Sequence, residues 1–257
     1  MNAISEAVIL VAGAGSRLRA GGEKVAKPLL PLLGRPLVSY TFEALARAGI
    51  KTVYAVVGFE SGTLVPEVER IVPRGLAVRF VENRDWKKQN GISVLAAAPH
   101  ISSPFLLTMA DHLFEQAIVD LVLRTPVDDR VNLAIDRKLD SIFDIDDAMK
   151  VQTRDDRVVA IGKDLSDYDA IDTGMFACSA TLFDYLEAAK RDGDCSLADG
   201  VRAMAGAGKV GAIDIGTAWW QDVDTPEMLA AAEKRLRQRR DVAMANTTPD
   251  RRDAAEN

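Results

Sequence analysis

The chain of 257 residues is 48% hydrophobic and 27% charged, long enough to bury one large core or two small ones. A formal net charge of −6 and an isoelectric point near 5.1 exclude the basic surface that binding a nucleic-acid backbone requires, although a few local lysines can still hold a small anion. Cys178 and Cys195 form neither a disulfide framework nor a metal pair of recognised spacing, the N-terminus lacks a basic signal segment, and no apolar run reaches the roughly 20 residues of a membrane-spanning helix, so a cytoplasmic protein with no direct membrane insertion is expected.

In chain order, an apolar first strand runs into the glycine-rich stretch LVAGAGSRL, Leu10 to Leu18. Pro36 to Ala48 then puts Leu37, Tyr40, Thr41, Ala44, Leu45 and Ala48 on one helical face, with Gly49 as the stop. Thr52–Val57 reads as a β-branched strand, so strand, helix and strand open a parallel sheet. A helix near Val65–Ile71, a strand at Ala77–Glu82 and a helix from Asn90 through Ala98 continue the alternation. Pro104–Met109 lacks period-2 polarity and so reads as a central strand covered on both faces, ending at Asp111, where open α/β sheets bind ligands.

From Val131 to Gly174 short strands separated by acidic turns read as a small antiparallel insertion. Helical spacing returns at Ser179–Lys190 and after Thr225, an N-cap followed by Pro226. The expected organisation is one domain over 1–238, with helices on both faces of a mostly parallel sheet, and a disordered tail over 239–257.

The glycine loop fits two familiar phosphate motifs poorly. A dinucleotide loop wants a third glycine where Leu18 stands and an acidic residue about 20 residues on; a Walker loop wants Gly-Lys where Leu18 and Arg19 stand. What remains is G-x-G-x-R followed by Lys27-Pro28-Leu29. Gly13 and Gly15 let backbone N–H groups approach phosphate oxygens, and Arg17 and Lys27 supply positive charge.

That signature resembles the sugar-phosphate nucleotidyltransferases, and further segments resemble their CTP:inositol-1-phosphate cytidylyltransferase branch. These are NGISVL (Asn90 to Leu95), TMADHLF (Thr108 to Phe114), DIDDAMKV (Asp144 to Val151), IGKDL (Ile161 to Leu165), AIDTGMF (Ala170 to Phe176) and WWQDVDT (Trp219 to Thr225), in order over roughly residues 7 to 236. The resemblance implies a Rossmann-like α/β fold and the coupling of CTP to inositol-1-phosphate, giving CDP-inositol, a phospholipid precursor, and pyrophosphate. Another sugar-1-phosphate or phosphocholine as acceptor is the alternative reading.

Site residues follow from both lines. Ala12, Gly13, Ala14, Gly15 and Ser16 form the nucleotide loop, and Arg17 and Lys27 act on the triphosphate and departing pyrophosphate. Asn90, Gly91 and Ser93 open a helix whose N-terminus suits a polar ligand, and the resemblance adds base or ribose contacts there, with Glu82 beside them. Asn90 is also a good N-cap in its own right. Asp111 and Asp222 are hard oxygen ligands suited to Mg²⁺, and Asp224 shares the face of Asp222, although it could equally serve the helix that follows. His112 is expected to point away from Asp111.

The resemblance places Lys163 and Lys150 at the acceptor phosphate. Asp172 and Thr173 could bond polyol hydroxyls, with Gly174 allowing close approach. Trp86, Trp219 and Trp220 are expected in the core. The family often fuses this enzyme to a membrane alcohol phosphotransferase, which is not seen in these 257 residues; either a separate membrane CDP-alcohol phosphotransferase is a partner or the acceptor differs, and a homodimer is a candidate assembly.

Overall fold

The computed structural model describes residues 4–13, 18, 25–101 and 104–247, with side chains to 241. Nine strands form one sheet in the order β5-β4-β1-β6-β11-β8-β12-β10-β9. These are β1 (Glu6–Leu10), β4 (Thr52–Val57), β5 (Ala77–Glu82), β6 (Phe105–Met109), β8 (Val131–Asp136), β9 (Lys150–Arg154), β10 (Arg157–Gly162), β11 (Ala170–Cys178) and β12 (Val210–Asp214). Two short pairs, β2 (Pro31–Leu32) with β3 (Arg35–Pro36) and β7 (His112–Phe114) with β13 (Trp220–Asp222), stand apart from it. The helices are α1 (Leu37–Arg47), α2 (Ser61–Ile71), α3 (Asn90–Ala97), α4 (Gln116–Arg124), α5 (Thr181–Ala189), α6 (Leu197–Gly206) and α7 (Pro226–Thr247).

The period of two along each central strand explains the sheet's two hydrophobic faces. Val8, Phe105, Leu107 and Leu133 point to the side covered by Val94 of α3, Leu186 of α5 and Val201 of α6. Their neighbours Ala7, Ile9, Leu106 and Ala134 point to the side covered by Phe42 of α1, Leu64 of α2 and Val119 of α4. Hence FLLTM shows no polar alternation: both of its faces are interior. Gly49, at φ +89°, takes the left-handed position just past α1 and ends it as its sequence suggests.

The antiparallel strands expected over 131–174 are joined to the main sheet: β8 lies between β11 and β12, while β9 and β10 form a hairpin that continues it. The strands from β5 to β6 pair in parallel, whereas β11 and β10 run against their neighbours, so the sheet is mixed. Helix α7 runs on to Thr247, past the boundary expected near 239, with Glu233 and Arg237 paired one turn apart at 3.4 Å. Its start is as expected, with Met228 N–H donating to Thr225 Oγ1 at 3.3 Å. Among the described residues no helix is long and apolar enough to cross a membrane.

Helix α6 lies beyond the expected elements, yet its start is written in the sequence Ser196-Leu-Ala-Asp199. The Ser196 hydroxyl accepts from Asp199 N–H at 3.1 Å, and the Asp199 carboxylate accepts from Ser196 N–H at 2.9 Å. Helix α3 packs against this start so closely that a Cβ on Gly91 would lie 2.6 Å from the Cys195 carbonyl oxygen. In contrast, a Cβ on Gly62 in α2 would meet nothing within 4 Å.

The same substitution therefore has opposite consequences at the two glycines. Gly91→Ala is expected to lower unfolding stability by about 1–3 kcal/mol through overpacking. Gly62→Ala should leave it unchanged or raise it by about 0.5–1 kcal/mol. Urea denaturation of both variants beside the parent checks the pair.

Candidate active site

The site lies at the carboxyl ends of β1 and β6. Ala110 N–H donates to the Leu10 carbonyl at 3.1 Å, extending the pairing of these strands until Asp111 leaves it in a turn. Beyond β1, Ala12 is buried and its carbonyl accepts from Phe59 N–H at 3.2 Å, while Gly13 is exposed at the mouth. Ala14, Gly15, Ser16 and Arg17 lie outside the described residues.

Lys27 begins a short 3₁₀ turn, Lys27–Leu29, anchored by buried Pro28. Its ammonium bridges Asp111 Oδ2 and Asp224 Oδ1. Burial would lower the pKa of Lys27, but the two carboxylates outweigh it and raise it. Burial likewise opposes the charge on Asp111, yet Lys27 and His112 hold its carboxyl well below the usual range. Residues 84 and 197 positions apart in sequence are thus joined at one ammonium.

The second strand pair brings the remaining carboxylate in. Asp222 of β13 stands opposite His112 of β7, and Val223 N–H donates to the Asp111 carbonyl at 3.0 Å. Val223 is fully buried with Leu32, Leu37, Leu113 and Ala232, so the residues on either side of it, Asp222 and Asp224, both face the cleft. The shared face expected for these aspartates is what the structure shows. Burial raises the Asp222 pKa, and Asp224 and Asp111 push the same way against His112.

His112 does not point away from Asp111. The turn at Asp111 breaks the alternation assumed for an extended segment, and His112 Nδ1 lies 2.7 Å from Asp111 Oδ1. An ionised carboxylate can only accept, so Nδ1 carries the proton and donates. Burial would lower the His112 pKa; the Asp111 charge and this hydrogen bond raise it instead.

Gly174, at φ +76°, gives the imidazole its space: a Cβ there would lie 2.6 Å from Nε2 and Cδ2 of His112. The cleft beyond measures about 290 Å³ and is lined by Asn90, Lys163, Asp172 and Gly174 as well as the carboxylates. Burial pushes the Asp172 carboxyl up to about 6, against the opposing effects of a 2.7 Å bond from Gly174 N–H and the nearby His112.

Several expected contacts go elsewhere. Thr173 is fully buried and its hydroxyl donates to the Ala134 carbonyl at 2.9 Å, because the side chain points to the opposite side of β11 from Asp172. Ser93 accepts from buried Asn83 Nδ2 at 2.9 Å, and Gly91 serves the packing against Cys195. Asn90 is the first residue of α3, not its N-cap; its Oδ1 instead accepts from Leu197 N–H at 2.8 Å, at the start of α6.

Glu82 is exposed beside Arg84, with Nε 3.6 Å from its carboxylate. Lys150 donates to the Lys163 carbonyl at 2.7 Å and the Asp146 carbonyl at 3.2 Å, so it supports the loop of Lys163 from outside the cleft. Lys163 itself lines the cleft, its ammonium paired with Asp147. Trp220, expected in the core, also lines the cleft; its parity with Asp222 and Asp224 along the strand was the available signal.

The chemistry of the carboxylates fits a hard divalent cation. The Asp222 carboxylate has no hydrogen bond or ion pair among the described residues and stands beside Asp111 and Asp224, and oxygen donors of this kind suit Mg²⁺. Among the described residues no three His, Cys, Asp or Glu side chains already surround a common ion position. Lys27 occupies the place between two of the three aspartates.

Comparison with known proteins agrees with the motif resemblance. A bifunctional IPC transferase and DIPP synthase of Rubrobacter xylanophilus is 36% identical over 89% of this chain and 51% of its own length. The protein of the same name from Thermococcus kodakarensis is 33% identical over 90% and 50% respectively. The chain thus spans about half the length of the curated relatives it matches. The inositol-1-phosphate CTP transferase from T. maritima superposes with a TM-score of 0.79 at 27% identity, over 91% of this chain and 98% of that one. A UDP-glucose pyrophosphorylase, at 15% identity and a TM-score of 0.75, shares the fold. With a family profile matching residues 7–194, the chain belongs to the MobA-like NTP transferase domain family.

Proposed function

We propose that this chain couples CTP to inositol-1-phosphate, releasing pyrophosphate and CDP-inositol. The observation that carries the reading is the Lys27 ammonium held between Asp111 and Asp224 at the carboxyl end of the central strands. The likeness to an inositol-1-phosphate CTP transferase along nearly all of that protein's length supports the choice of substrates.

An acceptor phosphate oxygen attacks the α-phosphorus of CTP. The new P–O bond forms as the bond to the bridging oxygen breaks, and that oxygen leaves with pyrophosphate. The phosphate monoester is already an anion, so no base need remove a proton; the difficulty is bringing two polyanions together. Two unit charges 4 Å apart interact by about 4 kcal/mol at an effective dielectric of 20. A divalent cation held by Asp111 and Asp222, Mg²⁺ in this reading, supplies neutralisation at the phosphates when bound.

Lys27 and Arg17 are assigned to the triphosphate and the departing pyrophosphate, with Gly13 and Gly15 giving their backbone N–H groups to the same oxygens. Lys163 is assigned to the acceptor phosphate and Asp172 to an acceptor hydroxyl, each from its place on the cleft wall. Trp220 and Asp172 also give the cleft an aromatic and an acidic wall, the elements that would suit the ammonium of phosphocholine. A panel of acceptors decides between the two.

Pyrophosphate release from CTP, inositol-1-phosphate and Mg²⁺ should fall at least about 100-fold in Lys27→Ala. Full activity in that variant would defeat the assignment. A panel in which phosphocholine outruns inositol-1-phosphate would defeat the choice of acceptor.

Asp172 generates a pH prediction. Its carboxyl titrates at about 6 in the folded chain against an ordinary value of 3.8, so between those values the folded state binds more protons than the unfolded one. Stability is therefore lost as pH rises through that window. Asp172→Asn, which can still accept from Gly174 N–H, should raise stability at about pH 7.5 by up to roughly 3 kcal/mol, with the gain disappearing towards about pH 4. Thermal melts of both proteins across pH measure it.

A further inference from the structure

Asp136, at the end of β8, is a buried carboxylate that takes no part in the proposed reaction; it is 2% exposed. One oxygen, Oδ1, accepts from Lys138 N–H at 2.8 Å and from Lys138 Nζ at 2.7 Å. The other, Oδ2, accepts from Trp220 Nε1 at 2.9 Å. A buried carboxylate with three donors is fixed in place, and it fixes the indole in turn.

The tethered indole lies nearly parallel to the His112 imidazole, with an interplanar angle of 16° and centroids 6.0 Å apart. Phe114 flanks the same imidazole at 6.0 Å and 25°, and the Gly174 backbone meets its Nε2 and Cδ2 edge. Among the described residues the ring's only hydrogen-bond partner is Asp111 Oδ1, 2.7 Å from Nδ1. Rotating the imidazole would drive it into the indole or the Gly174 backbone.

We infer that Asp136 and Trp220 are positioning residues: through the plane of His112 they fix the Asp111 carboxylate, committing Oδ1 to the imidazole and turning Oδ2, the partner of Lys27, to the cation side of the cleft. This rests on the reading of Asp111 as a cation ligand. The chain of contacts runs from the rim of β8 to the reacting centre, and its outermost member, Asp136, does not line the cleft. Outer contacts of this kind change metal affinity by about 10- to 100-fold when broken.

The chain has two histidines, His100 and His112, so its imidazole nitrogen signals can be assigned by comparison with His112→Asn. In the parent protein the ¹H–¹⁵N spectrum should show a protonated, hydrogen-bonded Nδ1 for His112. Trp220→Phe keeps a ring but loses the donor, and Asp136→Asn keeps the shape but loses an acceptor; in each the Nδ1 signal should broaden or shift while the chain stays folded. Mn²⁺ binding in the presence of CTP, without acceptor, should weaken about tenfold in both variants, and Trp220→Phe should add nothing in a His112→Asn background.

Unchanged Nδ1 signals in both variants overturn the inference, as does equal loss of Mn²⁺ binding with and without His112, or absence of Mn²⁺ binding by the parent protein. If one variant fails to fold, the other carries the test. A parent protein that gives the Nδ1 signal and binds Mn²⁺ with CTP but does not turn over inositol-1-phosphate defeats the proposed substrates and leaves this inference standing.

Discussion

The structure turns on one ammonium. Lys27 is the point where the start of the chain meets the turn after β6 and the segment after β13, and each contact is an ion pair in a largely buried place. Ion pairs of this kind add little net stability when intact, but removing one member leaves a buried charge unmatched at a cost of about 3–5 kcal/mol. The arrangement is therefore better understood as a means of fixing geometry. Among the described residues it also leaves a charge imbalance: Asp111, Asp222 and Asp224 outnumber Lys27 and His112 even when the imidazole is counted as a cation. An acidic excess of this kind favours a further positive charge, in keeping with the cation of the proposed reaction.

The fold contributes by placing these groups on different elements and then preventing them from moving independently. Two fully covered sheet faces immobilise β1 and β6, from whose ends Ala12, Gly13 and Asp111 project. The small strand pair of β7 and β13 is held by a third apolar cluster, which includes Val223 between the two aspartates and Ala232 of α7. Packing of α7 is thus coupled to the position of Asp222 and Asp224. Side chains on rigid elements suit the proposed reaction, which depends on positioning rather than on a strong base.

What the sequence made legible is what depends on local pattern. The β-branched run Thr52–Val57, the helix stopped by Gly49, the covered strand ending at Asp111 and the parity of Asp222 with Asp224 all follow from periodicity and turn chemistry. Harder to see was anything set by a turn or by a distant partner. The break at Asp111 swung His112 back onto its neighbour, and parity along β11 turned Thr173 into the core while leaving Asp172 in the cleft. Asn90 looked like a cap for its own helix and proved to serve the helix at Leu197, 107 residues away, which no local rule anticipates. Strand pairing of the region after Val131 was equally invisible, since short strands carry no mark of the neighbours they will join.

The closing of β9 onto two partners has a consequence for how the molecule meets its surroundings. Because β9 pairs with β10 along its length and, through Lys150 and Val151, with the first two residues of β11, the strands from β11 through β8, β12 and β10 come back on themselves and that end of the sheet is partly covered. Among the described residues the sheet's free border is β5, where exposed Arg79 and Glu82 interrupt the apolar run. Charges on a border strand discourage another sheet from adding to it. A chain that must keep nine strands soluble thus protects one end by self-pairing and the other by charge.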